Sequence, residues 1–284
     1  MDRVLSTLRF VKQPLSPSLL GELSQAGITS LELYSSPFHF DYRSSDATRE
    51  LAARLQEHHI AVFSLHSPTE RDLAPGRDTG VPISISDTER IRRIDAMDEV
   101  KRALEVAEHV PVRYLVQHLG TGRQSADPRK FDAAFNSLEH LSVFAKSRGV
   151  TIALENTADE LGSPASLHQF LQETHLHDLK FCFDTGHAHL EGGVAPGFEI
   201  LRGHAVFAHL HDNHGEKDEH LLPWEGGIDW NSALESLASS PAPLPVVLEL
   251  KEQSPQQPAF DQIRQAFDKL ETHLDGLRSK AARS

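Results

Sequence analysis

The feature that most restricts the fold is a series of short apolar runs, each stopping at an ionisable side chain. From Ile28 onward the runs end in turn at Glu32, His66, His118, Glu155, Asp184, His211 and Glu249. Between them lie longer segments whose apolar residues recur three and four apart, the spacing of a helix with one buried face. Runs of strand length alternating with helices imply repeated βα units around a parallel sheet. With Val4 to Phe10 as the first, the runs number about eight, the count that closes a (β/α)8 TIM barrel.

The other predicted strands are Ile28 to Leu33, Ile60 to His66, Val112 to His118, Val150 to Glu155, Leu179 to Asp184, Ala205 to His211 and Leu244 to Leu250. Helices are expected over Ser16 to Ala26, Asp46 to His58, Asp87 to His109, Pro128 to Arg148 and Ser163 to Thr174, then after Asp229 and after Pro258. Gly27 and Gly149 stand where helices close, and Asp229 stands where one opens. No linker divides the chain, so residues 1–276 read as one barrel and 277–284 as a polar, frayed tail.

Alternation along a strand decides where the terminal groups point. Ala153 and Glu155 share one face while Ile152 and Leu154 share the other, beneath the helices. The same parity links Ser64 with His66 and Val247 with Glu249, so these polar groups face the barrel mouth at the C-terminal edge of the strands. The stretch HLHDNHGEKDEHLLPWEGGIDW, 209–230, adds a strand that ends in imidazoles and an Asp218-x-His220 pair seven residues after His211. Gly226 and Gly227 supply a tight turn before Asp229.

Composition narrows the chemistry. With 28 basic against 41 acidic side chains the net charge is -13, which disfavours a surface that holds nucleic acid through its phosphates. Eighteen histidines beside one cysteine, Cys182, point to imidazole and carboxylate ligands rather than thiolates. Neither a secretory signal nor a membrane span is visible, so a soluble cytoplasmic protein is expected, with a homo-oligomer left open. The candidate ligands are His66, His118, Glu155, Asp184, His187, His211, Asp218, His220 and Glu249. Four carboxylates crowded into one mouth repel each other unless cations join them, so a divalent metal is expected, zinc or manganese, as one to three ions.

The motifs SLHSP, VQHLG, ALENT, DTGHA, HLHDN, DEH and LELK, in this order at strand ends, resemble those of the xylose isomerase-like barrels, the sugar phosphate isomerases and epimerases. The resemblance runs over nearly the whole chain. That superfamily also holds endonuclease IV, whose three-zinc site uses nine ligands of these types, and all nine positions have a counterpart here. For the epimerases, the resemblance implies one metal on Glu155, Asp184, His211 and Glu249. It also implies proton exchange by Glu155 and Glu249, and substrate contact by His187. The Ser-Pro-Thr-Glu that follows His66 lacks the aromatic and aliphatic wedge with which endonuclease IV enters a DNA stack.

The expected function is a metal-dependent isomerase or epimerase of carbohydrate metabolism, acting on a ketose or related small hydroxy-carbonyl compound by enediolate proton transfer. The alternatives are an endonuclease IV-like phosphodiesterase and a non-catalytic sugar-binding barrel. Several roles stay open. His66 and His118 are ligands or hydrogen-bond donors to substrate. Glu32 is a ligand or an acceptor that orients a histidine. Arg123 and Lys217 take a substrate phosphate or are merely exposed. Residues 39–42 form a lid or an ordinary loop, and Trp224 floors a sugar pocket or packs elsewhere.

Overall fold

In the computed structural model, which describes residues 3–71, 80–121, 125–251 and 260–281, eight parallel strands close into a barrel. They are β1 (Val4–Ser6), β2 (Ser30–Tyr34), β3 (Ala61–His66), β4 (Tyr114–Gln117), β5 (Thr151–Glu155), β6 (Lys180–Asp184), β7 (Ala205–Leu210) and β8 (Val246–Leu248). Each pairs with its neighbours in chain order, and β8 returns to β1 through Val4 opposite Val247. Helices α1 (Pro17–Gln25), α2 (Ser45–Glu57), α3 (Arg90–Leu104), α4 (Pro128–Lys146), α5 (Pro164–Thr174), α6 (Thr185–Leu190), α7 (Val194–Leu201), α8 (Trp230–Ala238) and α9 (Phe260–Ala281) fill the connections.

Local chemistry sets many of these boundaries. Ser16, Ser44, Asp127, Ser163 and Asp229 each accept a backbone N–H of the helix that follows, and α1, α4 and α5 carry proline in the first turn. Gly27 and Gly149 take φ of 78° and 72°, the left-handed conformation expected of residues that close a helix.

Several elements differ from the sequence expectation. The first strand stops at Ser6, whose hydroxyl accepts the Leu8 N–H and starts a 3-10 turn over Thr7–Phe10. The helix expected from Asp87 begins at Arg90 and gives way to a 3-10 turn at Glu105–Glu108. Helices α6 and α7 have no counterpart in the expected elements, and neither has the short antiparallel pair Glu70–Arg71 with Val81–Pro82. Helix α9 runs through Gly276 to Ala281 where a frayed tail is expected. Residues 39–42 are not a lid: His39, Phe40 and Tyr42 are buried, with the Tyr42 hydroxyl donating to Glu99 of α3. Arg123 lies outside the described residues.

The core has two layers. The larger lies between sheet and helices, while Val4, Tyr114, Val116, Ala153, Cys182, Phe207 and Val247 pack together inside the barrel. An eight-stranded barrel has room for such a plug but not for a pore. The interior is therefore closed below, and any site built on the inward positions opens only at the C-terminal ends of the strands.

Candidate metal centre

One step above that plug the inward positions turn ionisable. Glu155 ends β5, Asp184 ends β6, His209 lies in β7 and Glu249 follows β8, and one ligand atom from each falls within 4.8 Å of the others. His209 Nδ1 is 3.0 Å from Glu155 Oε1, 3.5 Å from Glu249 Oε2 and 3.9 Å from Asp184 Oδ2. Asp184 is held from two sides. Its backbone N–H donates to Asn156 Oδ1 and its carbonyl accepts from Asn156 Nδ2, at 2.8 and 2.9 Å. Its Oδ1 caps α6 by accepting the His187 N–H at 2.6 Å, so one residue both ends the strand and places the next histidine.

The other oxygen of Glu155 serves a second group. Oε2 lies 2.9 Å from His118 Nε2 and 3.3 Å from His66 Nε2, and the three residues form a further ligand cluster. Tyr34 stacks on the His66 ring at 4.9 Å. A third group, His187, His211, Asp218 and His220, sits nearer the rim. His220 Nε2 is 2.9 Å from Asp218 Oδ2, and the Lys251 ammonium donates to the same oxygen at 2.5 Å. The His211 and His220 rings lie face to face, 3.8 Å apart and 7° from parallel.

The rim depends on a loop that periodicity does not reveal. Buried Asp212 accepts four N–H groups: those of Asn213, Trp224 and Ile228, and the Trp230 indole at 2.7 Å. It also bridges to Leu221, so the segment carrying Asp218 and His220 is folded back over the mouth. Gly226 is needed for close approach, since a Cβ there would stand 2.4 Å from Asp212 Oδ1. A Cβ on Gly186 would stand 1.9 Å from His211 Cε1, so that glycine makes room for the ring. His220 holds φ of 52°, a costly conformation for a non-glycine residue, and its Nδ1 donates to the Glu249 carbonyl at 2.9 Å.

All nine sequence candidates thus gather at one end of the barrel, but one changes place. The group formed with Glu155, Asp184 and Glu249 contains His209, whereas His211 belongs to the rim group. The reason is where the strand ends. β7 stops at Leu210, so His209 is its last inward residue and His211 already leaves the sheet. Both histidines share the inward parity, and their two-residue spacing was the available signal. Asn156 and Asp212 are further residues the sequence reading passed over. Trp224 does not floor the mouth; its ring faces α9, with Lys269 Nζ 3.8 Å from its centre and His273 beside it.

The electrostatics are those of a site short of cations. Burial would lower the pKa of His66, yet hydrogen bonding and charge from Glu155, with Glu249 and Glu32, hold it up to about 9. Burial opposes His187 in the same way, but Asp184, Asp218 and Glu155 push it up to about 10. Burial would raise Glu155 and Glu249, and the neighbouring imidazoles, His209 foremost, hold both below the usual carboxylate range.

A metal fits this donor set. Asp184 Oδ2, Asp218 Oδ1 and both ring nitrogens of His211 are buried without a hydrogen bond, and His211 Nε2 lies 3.0 Å from Asp184 Oδ1 without hydrogen-bond geometry. Buried lone pairs of this kind cost about 1–3 kcal/mol each when nothing binds them, and a divalent cation satisfies carboxylate and imidazole together. Burial pushes the Cys182 thiol well up, so the donors are nitrogen and oxygen, the set that suits zinc or manganese.

Comparison with known proteins agrees with this architecture. The family model for xylose isomerase-like TIM barrels matches residues 20–273. The uncharacterized protein MJ1311 of Methanocaldococcus jannaschii is 26% identical over 243 residues, 82% of this chain and 78% of its own. The probable endonuclease 4 of Haloquadratum walsbyi is 25% identical over 255 residues, 81% of this chain and 83% of its own. Among solved structures, a D-tagatose 3-epimerase-like protein matches with TM-score 0.79 and 21% identity, over 99% of this chain and 100% of that one. An IolI protein with a bound zinc atom matches with TM-score 0.72 and 17% identity, over 96% and 98%. These two are likenesses of fold. Among the described residues no helix is long and apolar enough to cross a membrane. The chain belongs to the family of xylose isomerase-like TIM barrels.

Proposed function

We propose that the protein is a divalent-metal-dependent isomerase or epimerase of a small hydroxy-carbonyl compound, a ketose or a related polyol derivative. The observation that carries this reading is the convergence of Glu155 and Glu249, from strands that are not neighbours, on His209 Nδ1 beside Asp184. A zinc or manganese ion held by Glu155, Asp184, His209 and Glu249 would polarise adjacent hydroxyl and carbonyl oxygens of a substrate. The chain's own residues then move the proton. Glu249 is the freer base, because Glu155 Oε2 is engaged by His118 and His66 while Glu249 Oε1 has His66 only at 4.0 Å. For epimerisation Glu155 delivers to the opposite face a proton drawn from His66, 3.3 Å from its Oε2, while Glu249 keeps the one it removed. For isomerisation Glu249 alone moves the proton between neighbouring carbons. His187, at the open side with 11% of its side chain exposed, donates to a substrate oxygen. The fold-level likeness to a D-tagatose 3-epimerase-like protein and to a zinc-binding IolI protein supports the same chemistry. A panel of ketoses incubated with metal-loaded protein in deuterated water tests it. Deuterium should enter the turned-over sugar at carbon, and turnover without exchange and without dependence on either glutamate refutes the mechanism.

A second reading, metal-dependent phosphodiester cleavage, is favoured by one observation: Glu155 offers its two oxygens to two ligand groups, with a third group at the rim. Such a layout suits two or three ions acting together, and a probable endonuclease 4 is among the relatives. Elemental analysis separates the readings, since one ion per chain fits the epimerase site and about three favour the hydrolase. Duplex DNA is not the expected substrate in either case. With a net charge of -13, incision of an abasic duplex at physiological salt should be absent, and robust incision would reverse the order of the readings.

A further inference from the structure

The clearest unassigned group beneath the candidate site is Glu32, fully buried on β2. Its Oε2 lies 3.0 Å from His209 Nε2 and accepts the Ser64 hydroxyl at 2.8 Å. The register between β2 and β3 shifts at Leu31/Glu32, which brings Ser64 directly opposite Glu32. We propose that Glu32 is a positioning residue that holds the proton of His209 on Nε2 and so presents Nδ1 as the metal-binding atom. The inference rests on the metal-dependent reading above and adds to it the residue that orients the ligand.

Both ring nitrogens of His209 face carboxylates, Nε2 toward Glu32 Oε2 and Nδ1 toward Glu155 Oε1, each at 3.0 Å. An oxygen of Glu32 that accepts from Nε2 keeps the hydrogen there when a metal replaces the hydrogen on Nδ1. A singly protonated ring then has its lone pair on Nδ1, which is the nitrogen turned toward Glu155 Oε1, Glu249 Oε2 and Asp184 Oδ2. The group that gathers those ligand atoms does not include Glu32, because the His209 ring stands between. Glu32 is therefore the outer carboxylate of a carboxylate–histidine–metal chain, and the choice between ligand and acceptor falls on acceptor. The same arrangement explains why His209 and not His211 serves there. His211 reaches Asp184 and stacks on His220, and among the described residues its Nδ1 has no hydrogen-bond partner to orient the ring.

The test compares wild type, Glu32→Gln and Ser64→Ala for zinc affinity by chelator competition, and for the His209 ring by long-range 1H–15N NMR of zinc-loaded protein. Glu32→Gln should weaken one zinc site by 10- to 100-fold, the usual effect of removing such a partner, while zinc held by the rim histidines is unchanged. Wild type should show a proton on His209 Nε2 and zinc on Nδ1, with that proton exchanging faster with solvent in Ser64→Ala. Unchanged zinc affinity in Glu32→Gln, or zinc on Nε2, overturns the proposal. If Glu32→Gln does not fold, Ser64→Ala and the wild-type spectrum decide it. If wild type takes up no zinc, the metal-dependent reading falls by itself. An unprotonated Nε2 in the zinc-free protein would then overturn the role of Glu32 as well.

Discussion

His39 and His66 are equally buried, each 2% exposed, yet their charge states move in opposite directions. His39 sits in the loop after β2, where Nδ1 donates to the Gln13 carbonyl at 2.7 Å, and burial lowers its pKa to about 4. His66 loses the same hydration but faces Glu155, Glu249 and Glu32, and is held up to about 9. Burial alone makes an imidazole neutral, so a mouth that holds His66 and His187 well above the usual histidine range must surround them with enough negative charge to outweigh the loss of hydration. Folding would not gather that charge for stability, since removing charges from water costs several kcal/mol each. The difference marks the mouth as a place for cations and the His39 loop as ordinary core.

Taking charge out of the mouth breaks the comparison most severely. Glu249→Gln keeps an amide oxygen for coordination and should retain its metal, yet lose at least about two orders of magnitude in turnover, the scale of general-base catalysis. Glu155→Gln should lose activity and ions together, because both its oxygens are engaged, one with His118 and the other with His209. Metal content measured beside turnover separates the two outcomes. Equal metal loss in both variants would mean that Glu249 is only a ligand.

How far these residues can be read from sequence follows from what carries them. His66, Glu155 and Asp184 end strands, where alternation of period two fixes the inward face, and so the floor of the site is visible in the order of apolar and polar residues. His209 differs for a related reason: β7 ends one residue earlier than expected, which keeps the parity but brings His209 rather than His211 beside Glu155, Asp184 and Glu249. The rim is harder. Asp218 and His220 lie in a loop held by Asp212 and by Gly226, through contacts between residues with no periodic relation. Helices α6 and α7 escape because they are short and follow glycines or a strand end directly. Composition gives the class of donor, whereas tautomers, outer acceptors such as Glu32 and the partition into groups require coordinates.

The loop offers the next test. Asp212→Asn keeps the shape but replaces one acceptor oxygen with an amide that must face N–H donors. It should destabilise the fold by about 2 kcal/mol, the cost of unpaired buried groups. Metal at the rim should be lost before metal at the floor, since Asp218 and His220 ride on this loop while Asp184 and His209 do not. Thermal melts with and without zinc, together with metal content, read both effects. Loss of floor metal with rim metal retained would mean that Asp212 supports the barrel rather than the loop.

The smallest effect concerns His39 itself and uses pH to separate the two kinds of histidine. A histidine whose folded pKa is depressed binds fewer protons folded than unfolded. Its stabilising contribution is complete above the unfolded value of about 6.5 and is lost as pH falls toward the folded value of about 4. Between pH 7 and pH 5.5 this one group should cost the protein about 1 kcal/mol. His66 has the opposite sign, with stability present at low pH and lost as pH rises toward about 9, so the wild-type profile mixes both. His39→Gln isolates the term, because a glutamine amide can still donate to the Gln13 carbonyl but does not titrate. Denaturant unfolding of zinc-free wild type and variant at the two pH values should show the variant losing about 1 kcal/mol less on acidification. Parallel pH dependence would mean that the His39 pocket admits water and protonates without opening, and that burial there is less complete than its 2% exposure implies.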